Sequence, residues 1–200
     1  MQIACIGWGS LIWDPRDLLI QHSEYREDAW CPNGPDLPIE FARVSRRKVG
    51  NTLQNDRLTL VLVPGARVVR TLWTLFTVDD LQSARESLRI REGVSVERSL
   101  NGIAHWMRSG SLESGIARII ADWAIRHHLD AAIWTYLTSK FGEQENRTPS
   151  SEEVIGYLTG LTGGTRSRAE EYVRKTPRQI RTAYREAIEH HLGWTPIGRV

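Results

Sequence analysis

The sequence predicts an α+β protein in which strands dominate the first part of the chain and helices the last. Short runs rich in Val, Leu, Ile and Thr recur up to residue 110. Beyond that position, apolar residues recur mostly at the three- and four-residue spacing of helices. A chain of 200 residues can enclose one substantial core, and its 40% hydrophobic and 25% charged residues are typical of a globular protein.

Four segments of the first part are predicted as strands. They are MQIACIG at residues 1–7, LPIEFARVS at 37–45, RLTLVLVPG at 57–65 and RVVRTLWTLF at 67–76. The last two are separated by a Pro-Gly turn, which predicts that they pair with each other as a hairpin.

A helix is predicted after these strands. Asp79 and Asp80 can both cap its start, since a short acidic side chain accepts hydrogen bonds from the first free backbone amides. Apolar residues at 81, 84 and 88 then follow helical spacing. Gly93 is expected to end the helix, which places Glu92 at its last turn.

The second part of the chain is predicted to be mainly helical. GIAHWM at 102–107 predicts a short strand, and DAAIWTYL at 130–137 favours a returning strand over a continued helix. Ser150 and Glu153 have the spacing of a capping box. The predicted helices run from Ser111 or Ser114 to His128 and over residues 151–161, 165–174 and 177–192. Their apolar stripes predict that residues 111–200 form an extension packed on residues 1–110, with a homodimer surface as an alternative use of one face.

Composition excludes several classes of protein. No apolar stretch approaches the roughly 20 residues of a membrane-spanning helix, and the start of the chain lacks a signal-peptide pattern, so we expect a cytoplasmic protein without a membrane partner. Cys5 and Cys31 are the only cysteines and cannot build a disulfide framework. The adjacent histidine pairs, at 127–128 and 190–191, lack the spacing of helical metal ligands, so no metal is expected.

Positive charge is concentrated at the end of the chain. The net charge is +2, whereas residues 163–200 contain eight basic and four acidic residues, a balance of +4. Because the acidic residues are interspersed and no nucleic-acid motif is present, a solvated helical face is favoured over nucleic-acid binding.

The segment IGWGSLIW at residues 6–13 is the first candidate site. Gly7 and Gly9 suit a tight exit from the first strand, where backbone amides could face an anionic group. The alternative for this segment is an ordinary turn with buried tryptophans.

Two motifs resemble the gamma-glutamylcyclotransferase superfamily. IGWGSLIW is similar to the family's tyrosine-glycine-serine loop after the first strand, with Trp8 where tyrosine is usual. LRIREGV at 88–94 resembles the helix end that carries the family's catalytic glutamate, which would be Glu92 here. The resemblance covers about residues 1–110 and implies a small mixed β-barrel, with the pocket between the glycine loop and the glutamate.

The resemblance also implies a reaction. Family members convert a gamma-glutamyl amine or peptide to 5-oxoproline and a free amine, without metal or cofactor. Glu92 would be the general acid and base. The residues that would bind the substrate are Gly7, Trp8, Gly9, Ser10, Leu11 and Arg43, the last because strand alternation places it in register with Phe41.

Two alternatives remain open at this point. The chain could be a non-catalytic member of the same fold that binds a metabolite or a protein. Less favoured is a nucleic-acid-associated protein that uses the basic C-terminal helices.

Overall fold

The computed structural model describes residues 1–21, 29–95, 102–110 and 115–197 and shows an α+β protein. The chain divides into two compact units. The first unit contains Met1–Leu37 and Arg70–Leu137, and the second contains Pro38–Val69 and Thr138–Val200. Each unit therefore combines sequence from before and after residue 110. Within the described ranges, no helix is long and apolar enough to cross a membrane.

The first unit contains a four-stranded mixed sheet. Its strands are β1 Ile3–Gly7, β5 Leu72–Leu75, β6 Ile103–Met107 and β7 Ala131–Thr135. In the order β5-β1-β7-β6, β1 runs parallel to β7 and antiparallel to β5, and β6 is antiparallel to β7. Every residue of β1 and β7 is buried, so both faces of these central strands are covered.

Two helices pack within the first unit against β6 and β7: α1 Leu81–Glu92 and α2 Gly115–Arg126. The side chain of Asp80 caps α1 by accepting a hydrogen bond from Ser83 N, and Gly93 ends the helix at φ 64°. Both ends of α1 agree with the prediction. On α2 the buried face contains Ile120 and Trp123, while Ile119, which has the spacing of the same apolar stripe, is exposed.

The second unit contains a five-stranded mixed sheet. Its strands are β2 Asp36–Val49, β3 Thr52–Leu62, β4 Val68–Arg70, β8 Lys140–Phe141 and β9 Gln144–Glu145. The first two residues of β2 and the last residue of β4 belong to the first unit. The order is β3-β2-β8-β9, and β4 also pairs with β2. The polar segment FGEQENRTPSS at residues 141–151 thus contributes to two short strands.

Three helices complete the second unit: α3 Ser151–Gly160, α4 Gly163–Lys175 and α5 Ala183–Leu192. α4 packs on β3, and α3 packs on α5. The capping box of Ser150 and Glu153 is present at the start of α3, as predicted. Fully buried apolar side chains from these helices include Val154, Leu158, Val173 and Ile188.

The predicted hairpin between residues 57–65 and 67–76 is wrong. β3 pairs instead with β2, and β5 pairs with β1. The second segment is interrupted at buried Thr71, whose backbone N–H and hydroxyl both donate to the carbonyl of Pro35. The hydrogen bonds of Thr71 to Pro35 interrupt the chain between β4 and β5. β4 and β5 belong to different sheets.

The predicted barrel is also not observed, because the strands in the described ranges form two mixed sheets, neither of which closes on itself. The last predicted helix is shorter than expected as well. It starts at Ala183 rather than at 177, with Thr182 as its N-cap. Residues 176–180 instead form a turn whose carbonyls bind the buried guanidinium of Arg185.

Candidate functional site

The glycine loop leaves β1 through two consecutive turns. Gly9 O accepts a hydrogen bond from Ile12 N at 3.0 Å, and Ser10 O accepts one from Asp14 N at 2.9 Å. Trp8 and Leu11 are buried, whereas Ser10 is partly exposed. The loop is therefore anchored by apolar side chains.

Gly7 is required by close packing. It is the last residue of β1 and is paired with Leu72. A Cβ atom at this position would lie 2.7 Å from Cζ3 of Trp30 and 3.1 Å from Cδ1 of Ile12. The absence of a side chain at Gly7 thus admits the Trp30 ring against the strand, which is a structural role.

Glu92 lies where the sequence predicted it, at the last residue of α1. The positive φ of Gly93 turns the chain away immediately after it. Its side chain is 17% exposed, so the carboxylate is mostly shielded and still reaches solvent.

Arg91 joins the helix end to the glycine loop. Its Nη1 donates to Glu92 Oε1 at 2.7 Å, and its Nη2 donates to Ser10 Oγ at 3.1 Å. Nε and Nη2 also donate to the backbone carbonyl of Asp14, at 3.2 and 2.6 Å. Because the guanidinium is a planar, rigid fork, these bonds hold Ser10 and Glu92 beside each other, although the two residues are far apart in the sequence.

The cluster formed by Ser10, Arg91 and Glu92 influences Cys5 in the buried first strand through the charges of Arg91 and Glu92. Cys5 is fully buried in β1, and burial is the largest cause of its raised thiol pKa. The negative charge of Glu92 raises that pKa further, and the positive charge of Arg91 opposes it. Cys5 is therefore a protonated core residue next to the cluster.

The structure brings together most of the predicted site residues. Gly7 to Leu11 and Glu92 all belong to the first unit. Arg43 belongs to the second unit, where Nη1 donates to the Thr138 carbonyl at 2.8 Å and pairs with Glu145 at 3.4 Å. A substrate-binding role for Arg43 thus has no support from its contacts in that unit.

Arg91 is the residue of this cluster that the sequence interpretation did not include. Its side chain is only 6% exposed. The signal was present, because Arg91 follows Leu88 by three residues and Ser87 by four on the buried face of α1. A charged residue on a buried helical stripe requires partners, and here they are the glycine loop and Glu92.

A cavity of about 540 Å³ has Arg91 among its lining residues. One wall is a face of α1 that includes Ser83 and Ile90, and the other is the loop from Arg16 to Leu19. We call this space the α1 cavity. No group of three or more His, Cys, Asp or Glu side chains in the described parts of the chain could hold a metal ion.

No protein-family model matches the chain, and no curated protein or solved structure is significantly similar to it. The fold and the cluster define an α+β protein with a shielded carboxylate held beside a glycine loop.

Proposed function

We propose that this protein is an enzyme of the gamma-glutamylcyclotransferase type, acting on a small gamma-glutamyl amine or peptide in the cytoplasm. The observation that carries the proposal is the bridge of Arg91 between Ser10 and Glu92. It places the two motifs that resemble the family in one cluster. The resemblance and this contact support the proposal from independent directions, one from sequence and one from tertiary structure.

The proposed reaction is an intramolecular acyl transfer. The α-amino nitrogen of the substrate attacks its own γ-carbonyl carbon, which forms the C–N bond of 5-oxoproline. The bond from the same carbon to the leaving nitrogen then breaks, and that nitrogen leaves as a free amine. Since both reacting groups belong to one molecule, positioning and proton transfer are the main tasks left to the protein.

Glu92 is assigned the proton transfers. Its carboxylate takes a proton from the substrate ammonium, which frees the amine to attack, and later returns that proton to the leaving nitrogen. The second proton that the attacking nitrogen loses passes to the solvent, so that the lactam nitrogen keeps one hydrogen. The partial exposure of the carboxylate is compatible with access for a substrate. Ser10 and the backbone of the loop are assigned to hold the polar groups of the glutamyl moiety.

A non-catalytic binding protein is the second candidate, and one contact favours it. Arg91 donates to Glu92 Oε1 at 2.7 Å, so one oxygen of this carboxylate is already engaged by a side chain of the protein itself. In that case the same cluster would bind a metabolite or a protein without turnover.

The proposal predicts that Glu92→Gln lowers the rate of 5-oxoproline release by about 100-fold or more, since positioned acid and base groups contribute this order. The assay incubates the purified protein with a panel of gamma-glutamyl amines and peptides and measures 5-oxoproline. Glu171→Gln is the matched control, because Glu171 is an exposed glutamate of the second unit paired with Lys175.

Equal turnover by a folded Glu92→Gln variant would remove Glu92 from the mechanism. Binding of a panel member without 5-oxoproline formation by the unmodified protein would favour the non-catalytic alternative.

A further inference from the structure

The α1 cavity is lined by a helix and a loop that are tied together, and one loop residue has a strained backbone. Ser87 Oγ accepts a hydrogen bond from Leu19 N at 2.9 Å, which ties the loop to the helix. Arg16 has φ 52°, a left-handed conformation that side chains rarely adopt and that is enriched at ligand-binding sites. The cavity volume of about 540 Å³ lies in the usual range for small-molecule sites.

The body of a ligand in this cavity would meet apolar surface. Leu19 and Ile90 line the cavity from its two walls and are 44% and 61% exposed. Covering these two exposed aliphatic side chains with an apolar group is favourable, because it removes apolar surface from water.

The charge of the cavity selects the polar end of a ligand. Arg16 pairs with Asp14 at 3.3 Å, Glu86 with Arg89 at 2.6 Å, and Arg91 with Glu92 at 2.7 Å. Asp17 is the remaining charged residue of the lining. Within the part of the chain that the structure describes, its carboxylate has no hydrogen-bond or ion-pair partner. Among the described residues, the lining of the cavity thus offers one uncompensated negative charge, that of Asp17, beside an apolar surface.

We propose that the α1 cavity is a binding site for a small amphipathic amine. The apolar body packs between Leu19 and Ile90, and the ammonium pairs with Asp17. This site is distinct from the hydrogen bonds that Arg91 makes to Ser10 and Glu92, and it adjoins them because Arg91 also lines the cavity. The inference does not depend on cyclotransferase activity, because it concerns binding alone.

The test is isothermal titration of the full chain with three probes of equal chain length: hexylamine, hexanol and hexanoate. Hexylamine is expected to bind most tightly and hexanoate most weakly. Asp17→Asn should weaken hexylamine about threefold and leave hexanol unchanged, because a partly exposed ion pair contributes modestly. Ile90→Ser should weaken both hexylamine and hexanol about tenfold through lost apolar contact.

Two matched variants serve as controls. Asp79→Asn removes an exposed carboxylate of the first unit, and Ile119→Ser removes an exposed isoleucine of that unit; neither residue lines the cavity. Both should bind hexylamine as the unmodified protein does. Absence of hexylamine binding, hexanoate binding as tight as that of hexylamine, or equal losses in the control variants would each overturn the assignment. None of these results depends on whether 5-oxoproline is produced.

Discussion

Replacing Arg185 with methionine should destabilise the second unit strongly. Arg185 is 1% exposed, and burial lowers the pKa of its guanidinium. Nη1 donates to the carbonyls of Pro177 and Ile180, Nη2 to the carbonyl of Thr176, and Nε to Glu189. The side chain therefore holds the turn that precedes α5.

The expected loss in the free energy of unfolding follows from the number of backbone carbonyls that lose a hydrogen-bond donor. The Pro177 carbonyl keeps its bond from Ile180 N at 3.0 Å, so the carbonyls of Thr176 and Ile180 bear most of the loss. At about 1–2 kcal/mol for each buried acceptor, the total is about 3 kcal/mol, which agrees with the range for removal of one partner from a buried charged network. Methionine retains most of the apolar packing, so the substitution isolates the hydrogen bonds. For a chain of this size, the expected decrease in Tm is about 6–12 °C.

The assay is urea and thermal unfolding followed by far-ultraviolet circular dichroism, which measures helix content. Loss of the second unit changes this signal, because α3, α4 and α5 all belong to it. Arg181→Met is the control. That side chain is 67% exposed and 3.9 Å from its ion-pair partner Glu186, so a change below about 0.5 kcal/mol is expected. If Arg185→Met unfolds within about 1 kcal/mol of the unmodified protein, the guanidinium does not hold the turn and the reasoning fails.

Three further predictions concern stability. Gly7→Ala should destabilise the protein by about 1–3 kcal/mol, since its Cβ would overlap the Trp30 ring; unchanged urea unfolding would contradict this. Ser150→Ala should cost about 1 kcal/mol through loss of the α3 capping box, measured in the same way, and a loss near zero would mean that water replaces the cap. Burial raises the pKa of Glu40 above its ordinary value, so the folded protein holds this proton more tightly than the unfolded chain. The free energy of unfolding of the unmodified protein relative to Glu40→Gln should therefore fall as pH rises from the ordinary glutamate pKa through the raised one. A difference that is flat or rises over that window would refute the buried position of Glu40.

The α+β class, both ends of α1 and the start of α3 were predictable from the sequence. The Asp80 cap and the Ser150 capping box each join residues three positions apart, and Gly93 ends α1 through its own backbone conformation. Interactions of this kind are completed within a single turn of chain, so a short segment contains all the information that they need. Glu92 could be placed at a helix end for the same reason.

Strand partners and the composition of the site were decided by the tertiary structure. The apolar segment after Gly65 could pair with β3 by every local criterion, yet Thr71 binds Pro35 and β5 pairs with β1. Any strand with suitable alternation can pair with several others, and the choice depends on which faces become buried together. The contact of Ser10 with Arg91 likewise joins residues 81 positions apart. The sequence thus determined the local elements and the candidate carboxylate, while only long-range burial decided that Arg91 would connect that carboxylate to the glycine loop.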